Sequence, residues 1–249
     1  MRSRATAALV ALAVAGVAAQ RIQQPFVPVG VVDDRPGGLG PAEIAELRTM
    51  RFSVVASRDS ASGDPDVGMH ARLLPGPDAD PGAPLVSVTI DGVARLSIRE
   101  DATPFEVRRD AWVLTGRGYR GVVFDGWTTL HRNRAAFQAA ADFADVVTRN
   151  AALFAPLRAS PREVRVTPAT DVFARFVESP AALVLVAANM KDSTQRVTFS
   201  FRPDIPEAIW QNMESGAAVN FVAGPDGPTY VRTFAPADVV VLMIRKQYK

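Results

Sequence analysis

The sequence contains no cysteine among its 249 residues and only two histidines, His70 and His131. The lack of cysteine excludes disulfide bonds, thiolate metal sites, cysteine nucleophiles and lipid attachment at a cysteine. Two histidines are too few for a histidine-rich metal centre, so we expect no metal site and no cofactor. A Gly-x-Ser-x-Gly motif and a phosphate-binding glycine loop are also missing, which argues against a serine-hydrolase triad and against nucleotide binding.

An excess of charge of one sign is likewise missing. Lysine and arginine number 28 and aspartate and glutamate 26, which gives a formal charge of +2. Such a balance gives no reason to expect a nucleic-acid partner. What the chain does have is 48% hydrophobic residues, enough to bury the core of one or two domains.

The first twenty residues have the three parts of a secretory signal peptide. Arg2 and Arg4 precede an apolar run over residues 5–17, and small side chains at 17–19 suit a signal peptidase. The run is too short to cross the roughly 30 Å of hydrocarbon in a bilayer, so no stable membrane anchor is expected. We predict cleavage near Ala19 and a secreted or periplasmic protein.

Residues 28–56 predict a β-α-β unit. Apolar, β-branched residues at 28–32 and 52–56 are typical of buried strands, and residues 41–50 between them are typical of a helix that begins with a proline. Asp33 and Asp34 follow the first strand and Arg58 follows the second. The exits of parallel strands are where α/β folds usually place their chemistry.

A second helical region follows a long irregular stretch. Glycine, proline and aspartate predict that residues 61–84 are mostly loop, and Asp91-Gly92 predicts an antiparallel hairpin of strands 85–90 and 93–98. A helix is expected from Thr103 to 114, and a strand at 122–124 has Asp125 and Trp127 at its exit. A long amphipathic helix is expected over 133–157.

After residue 162 the pattern changes to short strands about ten residues apart, separated by turn residues. This spacing predicts an antiparallel β-sandwich. The expected fold class is therefore α/β plus all-β. The expected divisions are a signal peptide at 1–19, an α/β domain at 20–158 and a β-sandwich domain at 163–249.

Three stretches resemble glycoside hydrolases that combine a catalytic (β/α)8 barrel with a C-terminal β-sandwich. Residues 26–55 look like the first barrel strand, helix and second strand, and residues 103–127 are similar to the last barrel helix and the eighth strand. Residues 183–189 with 239–244 are similar to the terminal sandwich. A complete barrel usually needs about 250 residues. The resemblance thus implies an abbreviated (β/α) barrel-like domain followed by an antiparallel β-sandwich, with carbohydrate as the ligand.

The resemblance also implies a site. Glycoside cleavage needs two carboxyl groups about 5 to 10 Å apart, one to protonate the leaving oxygen and one to attack or to activate water. Glu100 matches the nucleophile position at the end of the seventh strand, and Asp125 is the second carboxylate on the same rim. The ring of Trp127 would form the floor of the sugar site. The rim would be completed by the substrate-binding residues Asp33, Asp34, Arg58 and His131.

The acid position of the resembled families is missing, because no Asn-Glu pair occurs in the sequence. Each candidate also has a structural alternative: a charged turn for Glu100, a turn cap for Asp125, the core for Trp127 and the surface for His131. We therefore expect an exported protein related to glycoside hydrolases that cleaves or binds carbohydrate. The alternative is a non-catalytic carbohydrate-binding or assembly module, and open strand edges would allow a homo-oligomer.

Overall fold

The computed structural model describes residues 25–57, 69–75, 85–205, 209–224 and 227–246. The predicted signal peptide and Arg58 lie outside the described residues. The helices are α1 (Pro41–Thr49), α2 (Pro104–Gly116), α3 (Trp127–Arg132), α4 (Arg134–Arg149) and α5 (Ala151–Phe154). The strands are β1 (Val29–Asp33), β2 (Val54–Ser57), β3 (Met69–Leu73), β4 (Val86–Ile90), β5 (Val93–Ser97), β6 (Gly121–Asp125), β7 (Arg158–Ala159), β8 (Val164–Thr167), β9 (Val172–Glu178), β10 (Ala182–Asn189), β11 (Gln195–Phe201), β12 (Trp210–Asn212), β13 (Ala218–Val219), β14 (Val222–Gly224), β15 (Gly227–Phe234) and β16 (Val239–Arg245).

The α/β region is built on one six-stranded sheet, sheet A, in the order β4-β3-β2-β1-β6-β5. Strand β1 is parallel to β2 on one side and to β6 on the other, and β5 is parallel to β6. In a (β/α)8 barrel, the second, first, eighth and seventh strands lie side by side in that order. Strands β2, β1, β6 and β5 have this order here, as the resemblance implies. Strands β3 and β4 extend the sheet in antiparallel fashion.

The predicted hairpin at Asp91-Gly92 is wrong. Strands β4 and β5 follow one another in the chain, yet they lie at opposite edges of sheet A. Three Cα steps, from Ile90 to Val93, span about 11 Å at most, whereas the edges of a flat six-stranded sheet lie about 24 Å apart. Sheet A therefore curls until its edges approach at this corner, where Gly92 adopts a φ of 68°.

Strand β3 was not expected, because its five residues lie within the glycine- and proline-rich stretch predicted as loop. Its side chains alternate with the period of two that a strand imposes. Met69 and Ala71 are buried, while His70 and Arg72 between them face outward. So short an alternation is easily hidden by the turn residues around it.

The two long helices begin at the expected caps. Thr103 Oγ1 accepts a hydrogen bond from the Glu106 amide at 3.2 Å, and Glu106 Oε2 accepts one from the Thr103 amide at 2.8 Å. Asn133 caps α4 by accepting a hydrogen bond from the Ala136 amide at 3.1 Å. Among the described residues, no helix is both long and apolar enough to span a membrane.

The two faces of sheet A are packed differently. The inner face of the curl carries a small apolar cluster, made of Val32, Val54, Ala56, Met69, Ala71, Val93 and Val123. The outer face is largely covered by α2, α4 and their connections, which form the main core together with alternate residues of β1 and β6. The inner face is therefore the mouth and lining of the partial barrel.

The C-terminal region consists of two antiparallel sheets. Sheet B has the order β13-β12-β16-β10-β9-β7, and sheet C has the order β14-β15-β11-β8. Strand β10 is buried on both faces. Its residues Leu183 and Leu185 join an aromatic cluster shared with sheet C, while Val184 and Val186 join the main core under α2.

A polar contact also ties α2 to sheet B. Arg108 Nε donates to Glu214 Oε1 at 2.7 Å, and Trp112 Nε1 donates to the same oxygen at 2.9 Å. Arg108 also donates to the Val239 carbonyl at 3.2 Å. The hydrogen bonds to Glu214 hold the pKa of Arg108 above its ordinary value, although partial burial opposes this.

Candidate functional site

The parallel strands of sheet A bring several polar residues to one edge. Asp33 ends β1 opposite Ser57 at the end of β2, and Asp125 ends β6 opposite Ser97 at the end of β5. Parallel strands place their carboxyl ends at a common edge, which is the functional end of barrel folds. The polar edge that the sequence predicts is therefore present.

Asp125 faces the mouth of the curled sheet. It lies two residues beyond Val123 of the inner cluster, so its side chain points to the same face. On the next strand, Arg95 is the partner of Val123 in register and its Nη2 contacts Asp125 Oδ2 at 2.7 Å. The predicted catalytic carboxylate is thus held in an ion pair across the strands.

Arg95, the partner of Asp125 in this ion pair, is not among the residues that the sequence predicts for the site. It interrupts the apolar strand Val93–Ser97 on the face that carries Val93. A charged residue on the inward side of a strand next to an exit carboxylate could have indicated the pair. The sequence predicts that the strand carrying Arg95 pairs with residues 85–90 in a hairpin. Its actual pairing with β6, which places Arg95 beside Asp125, is therefore not predicted.

Glu100 lies in an exposed turn between β5 and α2. The Ile98 amide donates to the Asp125 carbonyl at 3.2 Å, which keeps the start of this turn beside the end of β6. The Glu100 side chain itself makes no hydrogen bond or ion pair with a described residue. Arg99 beside it pairs instead with Glu106 at 2.7 Å.

Trp127 belongs to the core and not to the rim. Its side chain is 1% exposed and stacks on His131, with ring centroids 4.6 Å apart at 27°. Phe137 meets it edge-on at 5.7 Å. A ring enclosed in this way has no open face on which a sugar could stack.

Asp33, at the end of β1, and Asp34, which follows it, both make hydrogen bonds that hold the adjoining loop. Asp33 is buried, and its Oδ1 accepts a hydrogen bond from the Arg35 amide at 3.2 Å. Asp34 Oδ1 accepts hydrogen bonds from the amide and the hydroxyl of Thr128, at 3.2 and 2.8 Å. Asp34 therefore ties the exit of β1 to the first turn of α3.

His131 is bound to α1 and is partly exposed. Its Nε2 lies 3.0 Å from Glu46 Oε2, and Arg134 donates to the other oxygen of Glu46 at 2.7 Å. Burial acts to raise the pKa of Glu46, but the hydrogen bonds from Arg134 and His131 leave it lowered. This cluster fastens α1 to the start of α4.

A second ion pair lies beside this cluster. Both Arg35 Nη atoms donate to Glu43, each at 2.7 Å, and the Gly40 amide donates to Glu43 Oε2 at 2.8 Å. The Arg35 hydrogen bonds are the main reason that the pKa of Glu43 falls to about 2, against the effect of burial, and the hydrogen bond from the Gly40 amide lowers it further. The sequence reasoning also missed this pair.

No group of three or more His, Cys, Asp or Glu residues suited to a metal ion occurs within the described ranges. At the carboxyl edge, Asp33, Asp34 and Asp125 are matched with amide, hydroxyl or guanidinium partners. The structure thus brings Asp125 and the turn that carries Glu100 together. It places Trp127 and His131 on the helical side of the sheet.

No family model and no curated protein matches this sequence. Among solved structures, the chain is similar to a GH30 endoxylanase from Clostridium papyrosolvens, with 13% identity over 61% of this chain and 41% of that one, at a TM-score of 0.36. A maltogenic α-amylase from Thermotoga neapolitana has 11% identity over 62% of this chain and 42% of its own, at a TM-score of 0.42. A GH27 β-L-arabinopyranosidase from Geobacillus stearothermophilus has 10% identity over 58% of this chain and 31% of its own, at a TM-score of 0.38.

The present chain spans less than half the length of each of these proteins. The similarity is distant and partial, and it concerns the fold of glycoside hydrolases alone. It assigns neither an activity nor a site residue.

Proposed function

We propose that this protein binds carbohydrate at the mouth of the curled sheet A without cleaving it. The observation that carries the proposal is the ion pair between Asp125 and Arg95 on the inner face, at the carboxyl end of β5 and β6. The arrangement of β2, β1, β6 and β5 supports it, because these strands have the neighbour relations that the resemblance to glycoside hydrolases implies.

The contacts of the carboxylates argue against hydrolysis. A glycosidase needs one carboxyl group to protonate the leaving oxygen and a second one held at a fixed distance from it. Asp33, Asp34 and Asp125 are occupied as acceptors of structural hydrogen bonds or ion pairs. Glu100 lies in an exposed turn where no described residue fixes its carboxyl group.

The same contacts suit binding. A guanidinium group offers donors and a carboxylate offers acceptors, and sugar hydroxyls can use both at once. Asp125 and Arg95 are each about a quarter exposed, at 21% and 25% of their side chains, so a ligand can reach them. An apolar floor beneath them is provided by the inner cluster that includes Val93 and Val123.

Two further features belong to this proposal. We propose that sheets B and C form the β-sandwich of an accessory domain, since they share the cluster around Phe199 and Trp210. We also propose export with removal of the first 19 residues. The N-terminal sequence of protein recovered from the exported fraction would then begin at Gln20.

The test is a binding and turnover assay on the mature protein with xylan, malto-oligosaccharide and arabinopyranoside probes, chosen to match the three similar structures. We expect calorimetry to show binding of at least one probe and chromatography to show no cleavage. Asp125→Asn should weaken that binding about tenfold or more, because it breaks the ion pair that orients the site.

Asp101→Asn is the matched control, because Asp101 lies next to Glu100 in the same turn with 81% of its side chain exposed. It should leave binding unchanged, and thermal unfolding should show that both variants are folded. Binding to none of the probes would overturn the proposal. Cleavage that Glu100→Gln abolishes would also overturn it and would establish the hydrolase alternative.

A further inference from the structure

A groove with polar and apolar lining residues crosses the outer face of β2, β3 and β4, on the opposite side of the sheet from Asp125. Its volume is about 300 Å³, and its lining residues include Ser57, His70, Arg72, Ser87 and Thr89. We propose that this groove binds a small hydroxylated carboxylate, of which a uronic acid is the sugar form. The proposal does not depend on the carbohydrate site at the mouth of the sheet.

The register of the strands assembles the groove from two rows of side chains. Val55, Arg72 and Ser87 are partners across the three strands, and His70 and Thr89 are partners in the adjacent row. Ser57 lies beside His70, one residue beyond the pair of Ala56 and Ala71. Because side chains alternate along each strand, all of these groups project on the same face.

The charge of the lining selects an anion. Among the described residues, it contains one guanidinium, one imidazole and three hydroxyl groups, and no carboxylate. Arg72 makes no ion pair with any described residue, whereas Arg35, Arg95 and Arg108 are each paired with an aspartate or glutamate. An exposed guanidinium with no acidic neighbour among the described lining residues is suited to the planar, two-point recognition of a carboxylate.

The remaining lining groups indicate that the ligand also carries hydroxyls. Ser87 lies directly opposite Arg72, and Thr89 Oγ1 is 3.0 Å from His70 Nδ1. These short hydroxyl side chains can donate and accept on the same surface. The volume lies at the lower end of ligand pockets, which favours a single sugar-sized molecule over a polymer.

The test is NMR titration of the mature protein with D-glucuronate, with D-gluconate, with the neutral sugar D-glucose and with acetate. We expect glucuronate or gluconate to shift the amides of β3 and β4 saturably, at least tenfold more tightly than glucose or acetate. Arg72→Met should weaken this binding tenfold or more, and Arg72→Lys should retain part of it, because lysine keeps the charge but not the fork of donors.

Arg196→Met is the matched control. Arg196 is also exposed on a paired strand, opposite Thr233, and has no acidic partner among the described residues. The variant loses the same charge and should bind as the unaltered protein does. Asp125→Asn should also bind normally, which separates this site from the one at the mouth.

Three results would overturn a carboxylate site in this groove altogether: equal affinity for glucuronate and glucose, no saturable shift with any probe, or shifts that survive Arg72→Met. Binding of acetate as tightly as glucuronate would overturn the hydroxylated ligand and leave only a carboxylate site. A variant that has lost carbohydrate binding at the mouth of the sheet should still bind glucuronate in this groove.

Discussion

Glu43 shows how one side chain can organise the approach to the carboxyl edge. Its carboxylate accepts two hydrogen bonds from Arg35 and one from the Gly40 amide, at the start of α1. An acidic group in the first turn of a helix is also favoured by the helix dipole. These contacts explain why the pKa of Glu43 lies at about 2 and not at its ordinary value of 4.5.

This depressed pKa makes a prediction about acid stability. A carboxyl group whose folded pKa is lowered stabilises the fold above its unfolded pKa, and that contribution is lost as the pH falls toward the folded pKa. We expect Glu43→Gln to lower the free energy of unfolding by about 1 to 2 kcal/mol at pH 6, less than the shift alone implies, because both partners are partly exposed. Urea unfolding between pH 6 and pH 3 should show the two proteins converging as the pH falls below about 4.5.

Glu163→Gln is the control, because Glu163 and Arg202 form an ion pair in which both side chains are more than two-thirds exposed. Such a pair contributes little, so this variant should follow the unaltered protein at every pH. If the free energies of unfolding of Glu43→Gln and of the unaltered protein differed by the same amount at every pH from 6 to 3, the lowered pKa of Glu43 would be contradicted.

At the same scale, the sequence could predict which residues follow each strand but not what they contact. Asp33, Asp34 and Asp125 do lie at strand exits. Thr128, the partner of Asp34, is distant in the chain, and Arg95, the partner of Asp125, belongs to a strand whose predicted pairing is wrong. The exposure of Trp127 could not be predicted either, because it depends on how α4 covers the ring.

At the scale of the elements, two glycines allow the parallel strands to approach the neighbouring chain. A Cβ atom on Gly30 would lie 2.0 Å from the Val54 carbonyl oxygen, and one on Gly121 would lie 2.1 Å from that of Pro28. Both clashes are with backbone atoms, which cannot move aside without breaking the β1–β2 or β1–β6 pairing. These positions therefore need glycine for space.

We expect Gly30→Ala to destabilise the protein by more than about 3 kcal/mol or to prevent folding, since the strand must shift away from β2. Gly37→Ala is the matched control, because nothing lies within 4 Å of the added atom. Thermal unfolding of the two soluble variants, or their soluble yield, gives the comparison. Equal stability would contradict the packing described for β1.

The elements themselves show where sequence patterns succeed and fail. The caps Thr103 and Asn133 are local, and both were predicted correctly. The Asp91-Gly92 turn is real, but local turn chemistry does not determine which strand is the partner of β4 or β5. Strand β4 pairs with β3, which precedes it, and β5 pairs with β6, which follows it, so the two strands on either side of the turn lie at opposite edges of sheet A.

At the scale of the whole molecule, the core crosses the boundary that the sequence predicts near residue 158. Trp112 and Phe143 of the α/β region belong to the same buried cluster as Val184 and Val241 of sheet B. The contact of Glu214 with α2 adds a polar link at this interface. The proline-flanked stretch marks a change of strand pattern, and the packing is continuous across it.

This continuity predicts that the described regions unfold as one unit. Trp210 is fully buried in the cluster between sheets B and C, whereas Trp112 and Trp127 lie in the α/β region. Trp210→Phe should cost about 1 to 3 kcal/mol through the space it leaves. Urea unfolding can be followed by the fluorescence of Trp112 and Trp127 and, separately, by circular dichroism. Both transitions should move to the same lower urea concentration in this variant.

The reason is cooperativity: if the α/β region shares its core with sheet B, loss of sheet B exposes the buried face of α2 and destabilises that region too. Ile209→Ala is the control, because Ile209 precedes Trp210 but is 69% exposed, so both transitions should stay in place. If Trp210→Phe left the fluorescence transition unchanged while the circular dichroism transition split in two, the regions would be independent domains. The shared cluster would then be a contact surface between two cores.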